Sequence, residues 1–196
     1  MSNLNSICVF CGSSEGNDAK IISESYLLGE KLAYQKITLV YGAAKIGIMG
    51  EVAEGVLQNK GKVIGVIPEF LMLKEVVHRG LDELIVTANM HERKMKMQEL
   101  SGGFITLPGG FGTLEELFEI ITWSQLGLHQ KPIGLLNING FYDDLLALLK
   151  NMVRKNFLKT ENYELLIVEE DIDILLEKMK SFEPVQTKKW LQPDKV

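Results

Sequence analysis

Two stretches of this chain carry residue types that could do chemistry. The first is Pro108–Glu116, PGGFGTLEE. Glycine lets a backbone approach a ligand closely and adopt positive φ. A helix entered from such a loop presents unpaired N–H groups and the positive end of its dipole, which suits a phosphate. The run is neither a Walker A loop, which needs Gly-Lys-Ser/Thr, nor the G-x-G-x-x-G dinucleotide fingerprint. Its purely structural alternative is a turn with a capping box, since Thr113-x-x-Glu116 has that form. The second stretch is Asn89–Met97, NMHERKMKM. Asn89 is placed to cap a helix and Glu92 to answer it. Met90, Met97 and Leu100 then make an apolar stripe, with Arg93 projecting among them and Lys94 at its edge. A guanidinium on an apolar face is costly unless paired. Arg93 therefore reads as an anion or ribose clamp, with a snorkelling side chain or a structural ion pair as the plainer alternative.

Helical arithmetic places Glu116. At about 100° per residue, Leu114, Leu117, Phe118 and Ile121 form the stripe expected to face a sheet. Ile120, Trp123 and Leu126 form a second stripe opposite, with Glu116 at its head. A helix apolar on two sides needs a second cover, which a twofold dimer supplies. Glu116 is thereby expected to be partly enclosed.

The elements that must position these residues alternate. Strands are expected at Ser6–Phe10, Ile37–Tyr41, Lys62–Ile67, Glu83–Thr87, Gly103–Leu107, Pro132–Leu136 and Leu165–Val168. Most are continuously apolar, as in strands covered on both faces. Helical periodicity fills Asp18–Gln35, Ile48–Asn59, Met90–Ser101, Leu114–Leu126, Tyr142–Asn156 and Glu170–Lys180. This alternation predicts an α/β fold: a Rossmann-like, doubly wound parallel sheet with helices on both faces. No repeat or Gly/Ser linker divides the chain, so residues 1–182 form a single domain and 183–196 a loosely held tail. Ligands of such sheets sit outside the carboxyl ends of the strands. Three loops there are glycine-rich: Cys11-Gly12-Ser13-Ser14, Gly42–Gly50 and Pro108–Thr113.

Composition narrows the setting. With 46% hydrophobic and 24% charged residues over 196 positions, disordered and low-complexity classes fall away. The net charge of −5, from 21 Lys+Arg against 26 Asp+Glu, argues against nucleic acid as a partner, including a DNA-processing role. No apolar run reaches the ~20 residues of a membrane helix, and no secretory signal opens the sequence. Two cysteines make no disulfide framework, so the expected address is a reducing cytoplasm. Cys8 and Cys11 form C-x-x-C, but Cys8 falls inside a strand, away from a helix N-terminus that would activate it. His78, His91 and His129 lack ligand spacing, so no metal is expected. No G-x-S-x-G elbow supports a serine hydrolase.

The residues resemble a known family. MHERK at Met90–Lys94 followed by PGGFGTLEE at Pro108–Glu116 is similar to the Lonely Guy family, cytokinin riboside 5′-monophosphate phosphoribohydrolases once labelled lysine decarboxylases. The likeness runs through VFCGSS (Val9–Ser14), LVYGAAKIGIMG (Leu39–Gly50), EVVHRGLDEL (Glu75–Leu84), ITWSQLGLHQKPIGLLN (Ile121–Asn137) and GFYDDLL (Gly140–Leu146). It implies hydrolysis of the N-glycosidic bond of an adenosine 5′-monophosphate-type nucleotide, without metal or cofactor, by a homodimer. It implies Arg93 and Glu116 as the catalytic pair. Substrate contacts are implied at Gly12, Ser13, Glu75, Lys94, Gly109, Gly110, Phe111, Gly112, Thr113, Leu114, Glu115 and Thr122. One departure stands out: family members usually carry three glycines where this chain has Gly42-Ala43-Ala44. The related Rossmann-like set includes molybdenum-cofactor carriers, so the alternative is a carrier that binds a nucleotide or cofactor without cleaving it. Lysine decarboxylation would need pyridoxal phosphate on a Schiff-base lysine, for which Lys45 and Lys94 are weak candidates.

Overall fold

The computed structural model describes residues 4–72 and 77–184. Within them lie strands β1 (Ser6–Phe10), β2 (Thr38–Tyr41), β3 (Val63–Pro68), β4 (Glu83–Thr87), β5 (Gly103–Thr106), β6 (Ile133–Leu136) and β7 (Leu166–Glu169). They form one parallel sheet in the order β4-β3-β2-β1-β5-β6-β7. The helices are α1 (Ala19–Tyr34), α2 (Gly47–Gln58), α3 (Glu69–Met72), α4 (Met90–Leu100), α5 (Phe111–Gln125), α6 (Asp143–Arg154), α7 (Thr160–Tyr163) and α8 (Ile172–Lys180).

Alternation along each strand sorts side chains between two cores. Ile7, Val9, Leu39, Tyr41 and Ile105 pack with Leu28 and Leu32 of α1, Val52 and Val56 of α2, and Leu175 and Leu176 of α8. Cys8, Phe10, Val40, Val66 and Phe104 pack on the other face with Met97 of α4, Leu117 and Ile120 of α5, and Leu146 and Leu149 of α6. Both faces of the central strands are buried, as their apolar sequences predict. The edge strand β4 differs: Leu84 and Val86 are exposed. No helix among the described residues is long and apolar enough to cross a membrane.

The chain winds outward from β1 to β4. Helix α4 then crosses to the other face, and β5 pairs with β1. The loops leaving β1 and β5 therefore lead to helices on opposite faces, which opens a crevice at this switch point. Two short helices, α3 and α7, occupy stretches without readable periodicity, because one turn is too short to show a repeat. The expected tail begins at Glu183; its residues 185–196 lie outside the described residues.

Candidate active site

Helix α4 begins where its sequence says it should. The Asn89 side chain accepts from the Glu92 amide at 2.9 Å. The Glu92 carboxylate reaches back to the Ala88 amide at 3.0 Å and the Asn89 side-chain amide at 3.1 Å. This reciprocal cap fixes the first turn, and Arg93 follows one residue later with only 8% of its surface exposed. Its Nε donates to the Val66 carbonyl within β3, 3.1 Å away. Its Nη1 donates to Glu116 Oε1 at 2.9 Å. The costly guanidinium is thus paired, and its partner is the other residue singled out as chemical.

Helix α5 corrects two expectations. It starts at Phe111, with Gly110 as N-cap and no side-chain cap. Thr113 and Glu116 therefore sit inside the helix and form no capping box. The sheet-facing stripe is Thr113, Glu116, Leu117, Ile120 and Ser124. Phe118 is exposed, and Leu114 and Ile121 are only partly buried. The expected stripe of Leu114, Leu117, Phe118 and Ile121 counted apolar residues alone. The true one includes three polar side chains, so the helix is rotated and Glu116 faces inward.

That rotation places Glu116 in a cavity of about 320 Å³ at the switch point, within the range of small-molecule sites. Gly12 and Ser13 from the β1 loop, Gly110, Phe111, Gly112, Thr113, Glu115 and Glu116 from α5 and its entry, and Arg93 from α4 line it. Gly109 makes the loop possible: a Cβ there would lie 2.1 Å from Thr113 Oγ1 and 2.9 Å from the Gly12 amide. The two loops are joined by the Gly12 amide donating to the Pro108 carbonyl at 3.1 Å. Burial pushes the Glu116 carboxyl above the ordinary carboxylate range, against the pull of Arg93. Glu116 Oε2 has no hydrogen-bond donor among the described residues.

Other predicted residues lie elsewhere. Lys94 does not line the cavity; its Nζ donates to Glu115 and Glu119 at 2.6 and 3.0 Å. Leu114 is half-buried beside the cavity without lining it. Thr122 is exposed, with its hydroxyl on the Phe118 carbonyl at 2.7 Å, away from the sheet-facing stripe. Glu75 lies outside the described residues. Four lining residues were not read as site residues: Cys11, Met49, Leu71 and Met90. Leu71 lies on α3, a single turn too short to show helical periodicity. Met90 reads as part of the apolar stripe of α4, and Met49 falls in the glycine-rich Gly42–Gly50 stretch without being singled out.

A larger cleft, about 460 Å³, opens on the other side of Gly12, Ser13 and Gly110, with Gly109 also in its wall. Its ionisable lining groups are Glu15 and Asp18. Its lining includes no cation to meet a phosphate and no enclosed acid, whereas the smaller cavity has both in Arg93 and Glu116. Cys8 and Cys11 are both buried, and burial pushes both thiols up, as an inert pair would be. His129 is held neutral: burial pulls its pKa down to about 4, and its Nε2 meets the Ile120 carbonyl at 2.9 Å.

A sequence profile of the family described as "Possible lysine decarboxylase" matches residues 49–179. A probable cytokinin riboside 5′-monophosphate phosphoribohydrolase of Arabidopsis thaliana is 50% identical over 80% of this chain and 78% of its own length. A further Arabidopsis thaliana protein, described as a cytokinin riboside 5′-monophosphate phosphoribohydrolase, is 43% identical over 93% and 85% of the two chains. Among solved structures, the molybdenum cofactor binding protein of Rippkaea orientalis superposes with a TM-score of 0.69, covering 91% of this chain and 97% of that one. At 23% identity it shares the fold and nothing more can be taken from it. With the capped Arg93, its partner Glu116 and the glycine-rich entry to α5 in one cavity, and with relatives this similar along most of the chain, the protein belongs to the Lonely Guy family of phosphoribohydrolases.

Proposed function

We propose that this chain hydrolyses the N-glycosidic bond of adenosine 5′-monophosphates, N6-substituted ones included, releasing the free base and ribose 5-phosphate. The observation that carries the reading is the buried Arg93–Glu116 pair in a cavity entered through the uncapped start of α5. The amides of Gly112 and Thr113 are suited to the 5′-phosphate, since no side chain caps that helix end. Breaking the bond develops positive charge on C1′ and the ring oxygen of the ribose, as in glycoside hydrolysis. Ionised Glu116 stabilises that charge and takes a proton from the attacking water, whose oxygen bonds to C1′ as the base departs with the C–N electron pair. Arg93 holds the carboxylate in place and contacts the ribose or phosphate. Met49, Leu71 and Met90 supply an apolar wall for the base. The carrier alternative gives no reason to enclose a carboxylate whose charge burial opposes.

The reading extends to a cytoplasmic homodimer. Phe118 and Leu128 are exposed on and just beyond α5, on a face where a second copy would cover them. Thr122 shares that outer side of the helix, so a substrate contact by Thr122 requires a neighbouring copy. Light scattering after size exclusion tests the dimer, a monomer being the contrary result. The activity is tested by incubating the protein with adenosine monophosphate and N6-substituted analogues and assaying free base. Release no faster than that of a Glu116→Gln control rejects the reading.

A further inference from the structure

In the loop after β2, Gly42-Ala43-Ala44, the glycine and alanines stand in an order that backbone conformation does not explain. Ala43 has a φ of 67°, in the left-handed region that favours glycine, yet it is alanine. Gly42 is not in that region, so an alanine would suit its backbone. What a side chain at Gly42 would meet is the catalytic pair. An added Cβ would lie 2.5 Å from Arg93 Nη2, 2.9 Å from Met49 Sδ and 3.7 Å from Arg93 Cζ. Arg93 has no slack to retreat without loss, because its Nε is bound to the Val66 carbonyl and its Nη1 to Glu116.

From this we infer that Gly42 is a positioning residue for the reaction: its missing side chain is the seat on which the Arg93 guanidinium rests while it holds Glu116. The neighbouring Ala43 is tolerated because its methyl points elsewhere. The Ala43 methyl packs where Gly65 leaves room, since a Cβ at Gly65 would come within 2.7 Å of it. The Ala43 carbonyl accepts from the His78 amide at 2.9 Å, and Ala44 bridges to Val77. These contacts fix the strained residue on the side of β3 and the His78 segment, away from the guanidinium. Glycine thus stands at the position of this loop where a methyl would reach Arg93. The inference rests on the reading of Arg93 and Glu116 as the catalytic pair, and the test separates the two.

The test is Gly42→Ala in the full chain, assayed beside Arg93→Ala, Glu116→Gln and Ala43→Gly. The clash is with the ends of two side chains, so Gly42→Ala should fold and melt within a few degrees of the parent. Its kcat should fall roughly 10- to 100-fold, the scale of a reacting group misplaced by about 1 Å. The acid limb of its pH–kcat profile should move up, because a displaced guanidinium no longer holds the Glu116 proton off. Ala43→Gly should stay within about twofold of the parent. In an Arg93→Lys background, adding Gly42→Ala should cost less than about twofold, since no guanidinium remains to displace. Retention of full activity and an unmoved acid limb in Gly42→Ala overturns the inference. So does a collapse of its melting temperature, which would make the glycine a packing requirement. If Arg93→Ala and Glu116→Gln themselves remain active, the reading of the catalytic pair fails, whatever Gly42→Ala does.

Discussion

Helices α4 and α5 are joined by two sets of ion pairs, made by neighbouring residues in each helix. Arg93 pairs with Glu116, and Lys94 pairs with Glu115 and Glu119. In sequence the two sets look alike. In space, one residue of rotation in each helix sends the first set under the sheet-facing side and the second toward solvent. Arg93 and Glu116 side chains are 10% and 11% exposed; in the outer set Lys94 is 15%, Glu119 21% and Glu115 54% exposed. Water screens the outermost pair, Lys94–Glu115, and such pairs contribute about 0–1 kcal/mol, while Lys94–Glu119 is partly buried. The inner set is desolvated, so burial opposes the Glu116 charge and each partner depends on the other. Two pairings of the same chemical type therefore differ in setting: the outer one ties two helices together at their more exposed side, and the inner one holds a buried carboxylate beside the cavity.

The largest effect that could break this comparison is at Glu116. Glu116→Gln keeps the shape and a hydrogen-bond acceptor for Arg93 but removes the negative charge, and base release should fall at least ~10²-fold. A fall no larger than that of Glu115→Gln would erase the distinction between the two sets. Next is Arg93→Ala, which leaves a buried carboxylate without its cation. Loss of one member of a buried pair typically costs ~3–5 kcal/mol, so a depressed melting temperature should accompany weaker substrate binding and a slower turnover. Unchanged stability would place Glu116 in a wetter site than its exposure indicates.

The pH dependence sharpens the comparison further. The folded state holds the Glu116 proton to higher pH than the unfolded chain does, so the acid limb of kcat/KM should lie above the ordinary glutamate value of about 4.3. By the same linkage, the contribution of this residue to stability declines as pH rises from that ordinary value through its raised folded one, and Glu116→Gln should flatten that stretch. Arg93→Ala should move the limb further up. Lys94→Ala should raise it slightly and Glu115→Gln should lower it slightly, because these residues act on Glu116 in opposite directions. The smallest expected effect is on stability in Lys94→Ala, about 0.5 kcal/mol by chemical denaturation. A loss above ~2 kcal/mol would show the outer set to be as consequential as the inner one.

Much of this molecule is local and was readable. The Asn89–Glu92 cap forms where residue types and spacing put it, because its hydrogen bonds join neighbours in sequence. The strands were legible from continuous apolar runs, and the glycine-rich entry to α5 from its residue types. Thr122 and Lys94 were implied by resemblance, and a single chain does not bring either into the cavity. The rotation of α5 was misread because periodicity counts apolar residues, while Thr113, Glu116 and Ser124 are polar and buried.

By itself, the sequence determined the order of strands and helices, the caps, and the loops with backbone free to meet an anion, since each depends on torsional preference and near neighbours. Only the tertiary structure decided which of two adjacent acids and two adjacent cations would be enclosed. That choice is made by packing between residues distant in the chain: β3 offers a carbonyl to Arg93, the β2 loop leaves space at Gly42, and α5 turns Glu116 inward to meet them.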